Sequence, residues 1–115
     1  MAVKEVTPVK GEVNQITKFA FTAATTASDG FVFKMPKMTE EYVVIVVQNS
    51  GSSAAKLTLK KPETGSYAAS GSDEELQLAG GEFAQVRIES ARFANNDGTV
   101  TLTGSTADIK IAVLY

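Results

Sequence analysis

The chain contains no cysteine, no histidine and no tryptophan, and only three of its 115 residues are proline. Without cysteine there is neither a disulfide nor a thiolate metal site, which fits a reducing cytoplasm. Without histidine the Ser-His-Asp and Cys-His catalytic arrangements are excluded, and the commonest metal ligand is missing. Phosphate-binding glycine loops are absent in both of their usual forms. The longest uninterrupted apolar run is six residues, Tyr42-Val43-Val44-Ile45-Val46-Val47, whereas a membrane-spanning helix needs roughly 20. Residues 1–12 hold no apolar run of the kind a secretory signal needs. The expectation is a protein made and used without crossing a membrane.

Charge of one sign is scarce as well. The net charge is −2, so no strong pull toward nucleic acid or an anionic membrane is expected. No face interleaves basic and aromatic residues as single-strand binding requires. The charges are unevenly placed, however. Residues 1–61 hold 8 Lys against 5 acids, and residues 62–115 hold 3 basic residues against 8 acids. The pattern reads as two differently charged loop sets or as head-to-tail contact between copies.

What the chain does have is the vocabulary of β-structure. Thr, Val, Ile, Phe and Tyr fill the apolar stretches, and Gly, Ser, Asn and Asp separate them. Strands are predicted over residues 16–22, 31–34, 42–48, 55–60, 75–78, 83–90, 99–103 and 108–114. Turn residues fill the breaks, as in Asn49-Ser50-Gly51, Gly80-Gly81 and Asn95-Asn96-Asp97-Gly98. Helical period is weak everywhere; residues 90–95 offer one turn at most. The fold expected is all-β: a single-domain, mostly antiparallel β-sandwich or small barrel (Ig-like or jelly-roll-like) of about eight strands.

Alternation is clearest at the end of the chain. Ile109, Ile111, Val113 and Tyr115 share one face, with Lys110 and Ala112 opposite. This predicts a core strand. Residues 42–47 are apolar on both faces, so this strand is either central and covered on both sides or in contact with another subunit. Residues 1–12 read as an extended arm ahead of a domain over 13–115. Pro8 confines that arm to an edge or a free tail. Val3, Val6 and Val9 are spaced along it as candidate contacts with a neighbour, the alternative being an edge strand of the same sandwich.

Candidate chemistry is thin. Glu40/Glu41 and Asp73/Glu74/Glu75 are the acidic groupings, best read as solvated charge. Asn95-Asn96-Asp97-Gly98 offers oxygen ligands of the kind calcium takes, but it is also a plain tight-turn sequence. Lys34-Met35-Pro36-Lys37-Met38 pairs two cations with two methionines, and Met packs adaptably at interfaces. Lys34, Met35, Lys37 and Met38 therefore join the candidate interface. No enzymatic activity, cofactor or obligatory metal is expected.

Several stretches carry a family resemblance. They are Asp29-Gly30-Phe31-Val32-Phe33, the run from Glu41 to Asn49 (EYVVIVVQN), LQLAGGE from Leu76, IESARF from Ile88, DGTVTLTGS from Asp97, and the closing ADIKIAV from Ala107. Over residues 15–115 the sequence resembles small structural proteins from the head-gene modules of tailed bacteriophages, of the capsid decoration (cement) or head-fibre base type. The resemblance implies a compact β-domain on the outer surface of the capsid lattice. It implies the major capsid protein as partner, a symmetric homo-oligomer (a trimer among the possible forms), and a virion location after synthesis in the host cytoplasm. It transfers no binding residue. Two other classes remain open: a sugar- or receptor-binding module working through Tyr67, and a tail or adaptor protein of the same kind of particle.

Overall fold

In the computed structural model, the residues described are 3–24, 30–36, 42–65 and 68–115. Nine strands form two sheets, and the fold is all-β apart from one helical turn, α1 (Ser90–Phe93). The strands are β1 (Lys4–Glu5), β2 (Thr22–Ala23), β3 (Phe31–Lys34), β4 (Tyr42–Asn49), β5 (Ala55–Leu59), β6 (Glu74–Leu78), β7 (Phe83–Glu89), β8 (Thr99–Gly104) and β9 (Ile109–Leu114). One sheet has the order β1-β3-β8-β5-β6 and the other β2-β9-β4-β7. All pairings between these strands are antiparallel except β1 with β3. Two separate sheets make the fold a sandwich, not a closed barrel.

Period-two alternation sets which side chains meet between the layers. Phe31 and Phe33 of β3, Leu57 of β5 and Val100 and Leu102 of β8 point in from one sheet. Val43, Ile45 and Val47 of β4 and Ile109, Ile111 and Val113 of β9 point in from the other. All are essentially inaccessible to water, and each contributes about 1.5–3 kcal/mol by burial. The register explains the layering: Ile45 of β4 lies between Val86 of β7 and Val113 of β9, so strand 42–49 is central in its sheet.

Asn49 ends β4 and is the one fully buried polar side chain among the described residues. Its Nδ2 donates to the carbonyls of Ser53 (2.7 Å), Leu78 (3.2 Å) and Ala79 (3.3 Å). Its Oδ1 accepts from the amide of Gly51 at 3.0 Å. One side chain thereby ties the turn after β4 to the β6–β7 turn. The two turns touch so closely that a Cβ on Gly80 would lie 2.5 Å from the carbonyl carbon of Ser52. Glycine is therefore required there by space.

The N-terminal residues are built into the sandwich. Residues 4–5 pair with β3 in one sheet, and Val9 then bridges to Leu114 in the other. Val9 donates its amide to Val113 at 2.8 Å, and Gly11 donates to Tyr115 at 2.7 Å. Val6, midway, is only 6% exposed and packs in the core. Residues 4–11 thus close one side of the sandwich in the edge-strand arrangement, crossing from sheet to sheet.

Four local expectations are corrected. The strand predicted over 16–22 shrinks to Thr22–Ala23. Residues 12–20 are exposed and lie over the outer face of the four-stranded sheet, because Phe19 packs against Phe21 and Phe21 against Phe83 on that face (ring centroids 5.9 and 6.0 Å). Tyr115 was expected in the core row but is 41% exposed; its backbone instead pairs with Val9 and Gly11. Ala112, expected on the wet face, is buried. Ser90 leaves the strand for α1.

Candidate interaction face

The two outer faces of the sandwich differ in kind. On the five-stranded sheet, register places Lys34 beside Thr99, Val32 beside Thr101, Thr58 beside Thr103 and Glu75, and Lys56 beside Gln77. This face is a Thr/Lys/Glu lattice with a cross-strand Lys56–Glu75 ion pair at 3.6 Å. Threonine ladders of this kind suit a wet sheet surface.

The outer face of the four-stranded sheet is apolar at its centre. Val44 and Val46 of β4 sit beside Leu114 and Ala112 of β9. Tyr42 and Phe83 occupy the two ends, opposite Glu89 and Gln48 respectively. Along this face runs the segment 11–19, held by the turn at Asn14 in the left-handed region (φ 60°). Between the segment and the sheet lies a groove of about 370 Å³ lined by Val9, Phe19, Val44, Val46, Leu114 and Tyr115 among others. The segment's own apolar side chains project outward: Val13 is 85% exposed and Ile16 97%. Of the seven large apolar side chains exposed among the described residues, only Val3 lies away from this face. Charge on the sheet's outer row is limited to Arg87 and Glu89 on β7 and Lys110 on β9, and the segment above it adds the exposed Glu12 and Lys18. Arg87 leans over the Tyr42 ring at 5.7 Å.

The residues singled out in the sequence are dispersed. Val6 and Met35 are core residues (6% and 4% exposed), Val9 is half-buried in its bridge, and Val3 and Lys34 are exposed. Lys37, Met38, Glu40, Glu41 and Tyr67 lie outside the described residues. The five candidates among the described residues do not form a common surface patch. What reading the sequence missed is the exposed set Ile16, Phe19 and Phe83. The available signal was the double-sided apolarity of residues 42–47.

The polar groupings are occupied with structure. Asn95 Oδ1 accepts from the amides of Glu63 (2.7 Å) and Thr64 (3.1 Å). Asp97 Oδ1 accepts from the Thr99 amide (3.0 Å) and hydroxyl (2.6 Å), and these bonds hold its carboxyl below the usual aspartate range. Asp73 is held low by the Lys61 amide and then by Lys60 Nζ at 3.1 Å. Glu74 faces Arg92 at 3.7 Å. The sequence also holds one Ser-x-x-Lys spacing, from Ser53 to Lys56. A lysine acting as base needs a desolvated site, and Lys56 is exposed and paired with Glu75. Among the described residues no three acidic side chains converge as a metal site would require, and no helix is long and apolar enough to cross a membrane.

No protein-family model, curated protein or solved structure matches the chain.

Proposed function

We propose that this protein is a non-enzymatic structural component that binds the outer surface of a tailed-phage capsid and stabilises it, a decoration or cement protein. The observation that carries the reading is the contrast between its two outer faces. One is a Thr/Lys/Glu surface suited to water, and the other has an apolar groove lined by Phe19, Val44, Val46 and Leu114, with Tyr42 and Phe83 exposed at the ends of the strands beneath it and Val13 and Ile16 exposed on the segment that borders it. A two-layer slab wet on one side and apolar on the other suits attachment to a protein surface. Such attachment stabilises a shell by mass action, because the added contacts exist only in the assembled particle.

The test uses particles assembled from the major capsid protein of the same genome, stripped of this chain. Added protein is expected to co-sediment with the particles and to raise their melting temperature in a dose-dependent way. Absence of co-sedimentation at saturating protein contradicts the reading. Binding to tail tubes and not to capsids moves it to the tail or adaptor class.

A further inference from the structure

The sandwich is closed on one side and open on the other. On the closed side, where the short edge strands β1 and β2 lie, residues 4–11 run from β3 in one sheet to the end of β9 in the other, with Val6 buried among them. On the open side lie β6 and β7, and among the described residues nothing pairs with the outer edge of either. Between them an apolar cleft of about 250 Å³ reaches into the sandwich, floored by Leu59, Leu76, Val86, Ile88 and Phe93.

The two edges are not equally guarded. Edge strands are ready templates for another strand unless charge, proline, a bulge or shortness blunts them. β6 carries Glu74 and Glu75, both engaged in ion pairs with Arg92 and Lys56. β7 spans seven residues, Phe83-Ala84-Gln85-Val86-Arg87-Ile88-Glu89. It contains no proline, glycine or lysine, and it pairs with β4 without a bulge from Phe83 to Glu89. Its inward side chains, Ala84, Val86 and Ile88, carry no charge.

We infer that β7 pairs edge to edge with β7 of a second copy, antiparallel about a two-fold axis at Val86. In this register Val86 meets Val86 of the second copy and Ala84 meets its Ile88, so the inward row is apolar throughout and covers the mouth of the cleft. On the outward row Arg87 meets Gln85 of the second copy and Phe83 meets its Glu89, so no like charges stand opposite each other. One residue of slip in the axis, to Arg87, would place the two Arg87 side chains directly opposite, which a sheet disfavours. The interface is isologous, each copy giving and receiving the same contacts. The axis of an antiparallel pair is normal to the sheet. The result is one continuous eight-stranded sheet whose two apolar outer faces look the same way. This last consequence rests on the docking face described above, while the pairing itself does not.

The test is sedimentation equilibrium of the full chain with two substitutions at the exposed Gln85. Wild type is expected to be dimeric. Gln85→Lys sets like charges opposite each other twice per dimer and should weaken dimerisation by about two- to thirty-fold, whereas Gln85→Glu sets opposite charges and should tighten it by a similar factor. Both effects should shrink in high salt. Because Gln85→Glu gains affinity, a folding defect cannot mimic its result. A wild-type protein that stays monomeric up to its solubility limit overturns the inference, and so does a dimer indifferent to both substitutions. A monomer that still binds capsids overturns the pairing alone, and a dimer that does not bind them overturns the docking reading alone.

Discussion

Asn49 shows how a single residue can govern a fold whose stability is otherwise apolar. Its four side-chain hydrogen bonds add to the backbone bonds between Asn49 and residues 81–82 in holding two adjacent turns together. Buried donors and acceptors without partners cost about 1–3 kcal/mol each. Asn49→Ala should therefore destabilise the protein by at least ~1–3 kcal/mol, read as a lowered urea midpoint with an unchanged slope. A loss within about 0.5 kcal/mol, the range of neutral surface changes, would mean that the turns hold without it. Asn49-Ser50-Gly51 was legible in the sequence as a turn. Its burial was not, because the partners Leu78 and Ala79 are some thirty residues away. Met35 is the converse case: beside Lys34 and Pro36 it reads as a surface contact, yet strand parity places it, like Phe31 and Phe33, on the inward side.

Among the elements, those with strong alternation were legible and those fixed by long-range packing were not. Strands 31–34, 42–49, 55–59, 74–78, 83–89, 99–104 and 109–114 fall within a residue or so of the expected ranges, since their inward rows leave no second choice of face. Residues 16–22 failed for a physical reason. Ile16, Phe19 and Phe21 do not alternate cleanly, and the segment lies across the sheet with its rings gathered at Phe83 instead of joining the ladder. The first residues were ambiguous because a strand that pairs with one sheet for two residues and then with the other leaves no periodic signal. Deletion of residues 2–10 tests their role. It removes Val6 from the core and the bonds to Val113 and Tyr115, so the melting temperature should fall by several degrees, a loss of about 2–5 kcal/mol. A deletion variant as stable as the intact chain would make these residues an appendage.

As a whole the molecule measures 39 × 38 × 23 Å, a slab whose broad faces are the two sheets' outer surfaces. The fold class could be read from composition and turns. The candidate site could be read only as a hint, because it is assembled from β4, β7, β9 and a segment that folds over them, and sequence spacing does not bring those together. The central claim is that the apolar face carries attachment. It is tested most directly by capsid co-sedimentation of two double variants, Ile16→Ser/Phe83→Ser on that face and Thr58→Ser/Thr101→Ser on the opposite one. Both alter exposed or half-buried side chains and should leave the fold intact. The account predicts that the first loses capsid binding by at least about tenfold, as removal of two interface anchors does, while the second binds like wild type. Equal binding by both, or loss confined to the threonine variant, would contradict it.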